Sequence, residues 1–92
     1  MEVKVIERGE TVIELELRDI DFSVLDALQE TLNSFQEVEY AGVNLTHPLL
    51  GTLRFILKTR EGHSASEILL RGLRELSNAA GGLRKSIQQL LS

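Results

Sequence analysis

The sequence predicts an α+β fold in the order β-hairpin, helix, two further strands, long C-terminal helix. Three observations predict it. Apolar side chains alternate with period two in four short segments, they recur at helical spacing in two longer ones, and glycine, proline or polar clusters separate the runs. With 92 residues, residues 1–92 are expected to form a single domain, near the lower end of chains that fold without staples, burying roughly 60–65% of the unfolded surface.

The first two strands come from "EVKVIE" and "TVIELEL". Val3, Val5 and Glu7 face one way in the first, and Val12 opposes Ile13, Leu15 and Leu17 in the second. The glycine of "RGE" allows a tight reversal, so residues 2–7 and 11–18 read as a hairpin. Next, "DIDFSVLDALQETLNSF" places Val24, Leu25, Leu28, Leu32 and Phe35 on one apolar stripe. Ser23 with Asp26 three residues on reads as an N-terminal cap, a hydroxyl accepting from free N–H groups and a carboxylate near the positive end of the helix dipole. A helix over about residues 23–35 follows. From Val38 to Thr46, Glu39, Ala41, Val43 and Leu45 alternate with Val38, Tyr40, Gly42, Asn44 and Thr46, and Pro48 removes a ladder donor where the strand should stop. Leu53, Phe55 and Leu57 then form one face of another strand, which ends at "TREGHS".

The last segment is the most informative. Ser64 and Glu67 have the spacing of a capping box. Beyond them Leu69, Leu73, Leu76, Ala80, Leu83, Ile87 and Leu90 recur at intervals of four and three, which is a sustained seam. Gly72, Ala79 and Ser86 flank it, small residues that let a neighbouring helix approach closely. A helix of about 27 residues spans roughly 40 Å, against a diameter of about 32 Å for a compact domain of this length. The seam keeps its register across Gly81 and Gly82, which favours one continuous helix whose distal turns need a partner. The other reading is an ordinary core-facing helix broken at the glycines, each of which costs about 1 kcal/mol relative to alanine.

Composition limits the function classes. The formal net charge is −4, with 10 basic residues outnumbered by 14 acidic ones and no basic run, so direct binding to DNA or RNA is not expected. No cysteine is present, which excludes disulfides and thiolate metal sites and fits a cytoplasmic location. "MEVKVIERGE" has no apolar core of a signal peptide, and no run is long enough to span a bilayer, so no membrane association is expected. His47 and His63 are too few and too far apart in sequence for a zinc site, and Asp21, Asp26 and Glu30 are better explained by capping and solubility than by acid–base chemistry. No nucleophile elbow or phosphate-cradling glycine pattern occurs. Neither cofactor nor metal nor catalytic residue is assigned.

One stretch also carries a family resemblance. "VEYAGVNLTHPL" resembles Val-x-Phe-Ala-Gly-Tyr followed by His-Pro-Leu in the archaeal RNA polymerase subunit L family, which has eukaryotic counterparts; the matching positions are Val38, Ala41, Gly42, His47, Pro48 and Leu49, with Tyr40 standing for Phe. The element order fits that family over essentially the whole chain, and Lys58-Thr59 before Gly62 fits as well. Its first-helix signature is met in part, at Asp21, Ser23 and Val24, while Phe22, Leu25 and Asp26 depart from it.

The resemblance implies an RNA polymerase dimerisation-domain-like fold and a non-catalytic assembly role. Such a chain forms a heterodimer through its helices with the larger, D-type subunit of the polymerase, and the pair receives the second-largest polymerase subunit. Partner contacts are then expected at Leu25, Leu28 and Leu32 on the first helix and at Leu76, Ala80, Leu83, Ile87 and Leu90 on the last, with His47 and Pro48 as a structural turn. A homodimer of the isolated chain is also expected to be possible. The alternatives are a stand-alone α+β small-molecule binding domain or a homodimeric interaction module. From charge and ligand count the purified chain should bind neither duplex DNA nor zinc tightly, and calorimetry checks this. Micromolar zinc affinity abolished by His47→Ala would overturn it.

Overall fold

A computed structural model of the chain describes residues 1–76 and 81–92, with the backbone alone at 47 and 48. Strands β1 (Glu2–Arg8), β2 (Val12–Arg18), β3 (Val38–His47) and β4 (Thr52–Thr59) form one antiparallel sheet in the order β1-β2-β4-β3. Helices α1 (Phe22–Asn33), α2 (Ala65–Glu75) and α3 (Gly81–Leu91) cover one face of it. The alternation sets this architecture. Ile13, Leu15 and Leu17 stand opposite Leu57, Phe55 and Leu53 across the β2–β4 ladder, and directly opposed side chains share a face. Those six residues meet Leu25, Leu28 and Leu32 of α1, Leu69 and Leu73 of α2, and Leu83 and Ile87 of α3 in a single core. The other sheet face carries Glu14, Glu16, Arg54 and Lys58, with Arg54 Nη1 3.3 Å from Glu14 Oε1.

Three register slips interrupt the ladders, at Val5/Glu7, Val38/Tyr40 and Leu45/His47, and the first two change faces that strict alternation assigns. In β1 the register slips between Val5 and Glu7, leaving Ile6 without a partner residue. Val5 stands opposite Leu15 on the helix side, but Glu7 then stands opposite Glu14 on the open side, and Arg8 opposite Ile13. The expectation that Glu7 shares a face with Val3 and Val5 is corrected accordingly. In β3 the slip between Val38 and Tyr40 puts Val38 on the buried side, opposite Thr59, while Tyr40 pairs with Lys58 on the open side. Strict alternation had placed Val38 and Tyr40 together.

The helix caps are partly as expected. Asp21, two residues earlier than Ser23, caps α1: its Oδ1 accepts from the Ser23 N–H and from the Ser23 hydroxyl, each at 2.9 Å. A carboxylate accepts more strongly than a hydroxyl, so Ser23 serves here as donor. These two bonds hold the Asp21 carboxyl below its ordinary value. The helix closes at Asn33 rather than residue 35, and the Asn33 amide turns to the edge strand β3, donating to Ala41 O at 3.0 Å and accepting from the Ala41 N–H at 3.1 Å. That satisfies backbone groups on the outer edge of β3. At α2 the expected Ser64 cap forms, its hydroxyl accepting from the Glu67 N–H at 3.3 Å. Gly72 is the crossing point of α1 and α2: a Cβ there would stand 2.6 Å from Leu32 Cδ2.

The expected continuous C-terminal helix is corrected. Helix α2 stops at Glu75, and Leu76 has extended backbone at ψ 159°. The stop precedes the glycine pair, which instead opens α3. Leu83 and Ile87, expected to lie in water in the isolated chain, are 3% and 1% exposed. The physical reason is the length mismatch. The molecule measures 37 × 26 × 24 Å, so a straight rod of roughly 40 Å would leave its distal leucines uncovered, and helical order follows tertiary burial of an apolar face. Ala79 and Ala80 lie outside the described residues.

It follows that Ile87→Asp should destabilise the isolated chain by several kcal/mol, comparably to Leu73→Asp, because both place a charge in the same core. Thermal unfolding of the two variants checks this. An Ile87→Asp chain that melts with the wild type would show that α3 does not rest on the core.

Candidate partner interface

The residues expected to meet a partner sit on three helices, and the fold treats them differently. Leu25, Leu28 and Leu32 point into the chain's own core, as do Leu83 and Ile87. Leu76 is half-buried at the end of α2, and Leu90 stands 43% exposed beside the buried Leu91. Ala80 lies outside the described residues. Of the described seam positions, Leu76 and Leu90 are those the fold leaves in contact with water.

His47 is the last residue of β3, and Pro48 opens a single 3-10 turn through Leu50. Gly51, at φ +64°, then reverses the chain into β4, a left-handed conformation that glycine adopts without strain. The strand therefore stops at the residue before Pro48. The His47 and Pro48 side chains lie outside the described residues. The turn presents an apolar tip that the sequence reading missed: Leu49 is fully exposed, Leu50 is 61% exposed, and Leu45 at the same end of the sheet is 55% exposed. The available signal was two leucines directly after a proline in a turn.

Charged groups tie the helices to the loop before β3. Arg71 of α2 donates to Glu37 Oε2 at 2.6 Å, and its guanidinium carbon lies 3.9 Å from the centre of the Phe35 ring. The Arg71 hydrogen bond is the main reason the Glu37 carboxyl is held below its ordinary value of 4.5, and the same bond raises Arg71. A carboxyl lowered on folding stabilises the fold above its unfolded value, and that contribution is lost as pH falls through its folded value. Acidification below about 4.5 should thus weaken the fold, and Glu37→Gln should shrink the fall in unfolding temperature between neutral and acid pH. Parallel pH profiles for variant and wild type would contradict the linkage.

The surface grooves have little chemistry in them. One, open to solvent, is lined by Met1, Glu2, Arg18, Ile20, Asp21 and Leu50, and Asp21 there is already engaged as a cap. Another lies between Ser34, Glu37, His63 and Arg71, where the carboxylate and guanidinium neutralise each other, and a third runs between Glu2, Lys4, Glu16 and Arg18 of the hairpin. Among the described residues no three His, Cys, Asp or Glu side chains gather around one point. No helix among the described residues is long and apolar enough to cross a membrane. What the arrangement offers is apolar contact along the helices and at the turn.

Comparison with known proteins agrees with that character. Residues 12–86 match the family described as the RNA polymerase Rpb3/Rpb11 dimerisation domain. The chain is 34% identical over 76 residues to DNA-directed RNA polymerase subunit Rpo11 of Korarchaeum cryptofilum, covering 83% of this chain and 78% of that one. It is also 34% identical over 84 residues to subunit Rpo11 of Methanocaldococcus jannaschii, covering 83% and 85%. Among solved structures, DNA-directed RNA polymerase subunit L of Thermoplasma acidophilum shares the fold, with a TM-score of 0.72 at 22% identity over 96% of this chain and 86% of that one. With its four antiparallel strands, its helices on one face and this match over most of its length, the chain belongs to the RNA polymerase Rpb3/Rpb11 dimerisation domain family.

Proposed function

We propose that this chain is a non-catalytic assembly subunit of a DNA-dependent RNA polymerase. It forms a heterodimer with the larger, D-type subunit, and the pair is the platform that receives the second-largest subunit. Nucleotidyl transfer then belongs to other chains, and the protein works where its polymerase works, in the cytoplasm. The observation that carries this reading is the match of residues 12–86 to a dimerisation domain, since that range holds β2 to β4, α1, α2 and part of α3.

The helices supply the pairing surface. Leu76 and Leu90 offer apolar contact as the chain stands, while Leu83 and Ile87 lie on the buried face of α3 and meet a partner once that helix is displaced. Leu25, Leu28 and Leu32 act from within, as the bed on which the pairing helices rest. Ala80 belongs to the same seam in sequence. His47 and Pro48 keep their role as the turn that ends β3.

Co-expression with the D-type partner and purification through a tag on this chain tests the reading. A one-to-one complex that recovers the second-largest subunit is the expected result. Recovery of this chain alone, or only as a homodimer, contradicts it. Within that assay Leu90→Asp should leave the unfolding of the isolated chain within about 0.5 kcal/mol of wild type, as for other exposed positions, yet weaken pairing at least about tenfold by placing a charge in a desolvated contact.

A further inference from the structure

The seam and the fold disagree about the C-terminal helices. Along the sequence Leu69, Leu73, Leu76, Leu83, Ile87 and Leu90 keep intervals suited to one straight helix with one apolar stripe. In the fold α2 ends at Glu75, and α3 buries Leu83, Ile87 and Leu91, four residues apart, instead of ending its stripe on Leu90. The two seam members that do not fit the folded arrangement, Leu76 and Leu90, are left half-buried and 43% exposed.

The seat of α3 is specific. It lies along the edge strand β1: a Cβ on Gly82 would stand 3.8 Å from Met1 Cε, and at the other end Arg8 Nη2 donates to Leu91 O at 2.8 Å. Arg8 reaches that carbonyl because the bulge at Ile6 turns it to the helix side. Apart from the Ser92 hydroxyl, which donates to Gln89 O within the chain's last turn, the Arg8 bond is the one side-chain hydrogen bond between α3 and the rest of the described residues. Both of its ends fall outside the range 12–86 that matches the dimerisation domain.

We infer that α3 is a displaceable cover, an inference that rests on the assembly reading above. In the free chain it shields the β1 side of the core. On pairing it leaves that seat and lies in line with α2, so that Leu76, Leu83, Ile87 and Leu90 form one stripe against the partner. The vacated seat takes a helix of the partner with apolar residues four apart, the pattern that α3 itself presents there. Apolar burial is thereby exchanged for similar apolar burial, which keeps the two states close in free energy and makes the free chain self-protected against aggregation. The Arg8 bond biases the equilibrium towards the closed state.

Distance measurement tests this directly. The chain has no cysteine, so nitroxide labels on Glu7→Cys and Gln89→Cys, both exposed, report the α3–β1 separation without other changes. The free chain should give one short distance. The complex with the D-type partner should give a distance longer by roughly 15 Å or more, about the length of α3 at 1.5 Å per residue. Arg8→Ala should raise the affinity for that partner by roughly three- to tenfold, the equilibrium weight of one hydrogen bond that must break before pairing. An unchanged distance in a chain that still pairs, or an Arg8→Ala chain that pairs no better than wild type, overturns the inference and leaves the assembly reading intact. Failure of the unlabelled wild-type chain to pair with the D-type partner overturns both.

Discussion

Everything in this molecule depends on keeping water off one face of a four-stranded sheet. The six central residues of that face, from Ile13 to Leu17 and Leu53 to Leu57, are each 7% exposed or less, and no strand supplies its own cover. Helices α1 and α2 provide it first. They cross so closely at Gly72 that there is no room for a side chain, and the cost of a glycine within a helix, about 1 kcal/mol, is offset by the contact it permits with Leu28 and Leu32. What α1 and α2 leave uncovered, towards β1, falls to α3.

The polar contacts serve that cover rather than any chemistry. Arg71 reaches from α2 over Phe35 to Glu37, joining the second helix to the loop that follows the first. Asn33 closes α1 onto the outer edge of β3, and the Ala65 N–H donates to Glu10 O at 2.7 Å, fixing the start of α2 against the hairpin loop. Each bond sits where two elements meet, so the sheet, α1 and α2 are tied to one another. Helix α3 is attached differently, by Leu83, Ile87 and Leu91 and one terminal hydrogen bond. A cover held in this way fits the proposed exchange of self-contact for partner contact.

The alternation of apolar residues in β2 and β4 and the stripe of α1 were legible in the sequence, because period two and period 3.6 are local signals. The bulges at Ile6 and Glu39 were not, since an extra residue is chosen by the partner strand and leaves no mark in composition; hence Glu7 and Val38 were assigned to the wrong faces. The break at Leu76 was missed for a related reason. The pattern from Leu69 to Leu90 fits a straight helix, but whether a helix stays straight depends on what lies beside it, and a chain of this size has no seat for a rod of roughly 40 Å. The proposed interface was legible only as a set of apolar positions. Leu90 faces outward and Ile87 does not, a distinction that the three-residue interval between them leaves open and the fold decides.

If α3 is a cover, it must be a weaker part of the fold than the sheet it covers. Amide hydrogen exchange, resolved by residue, measures this in the free chain and again with the D-type partner bound. In the free chain the amides of α3 should exchange well before those of β2 and β4, and on pairing they should slow to the level of the strands. If α3 is as protected as β4 in the free chain and unchanged when the partner is bound, it is a permanent part of the core, which contradicts its role as a displaceable cover.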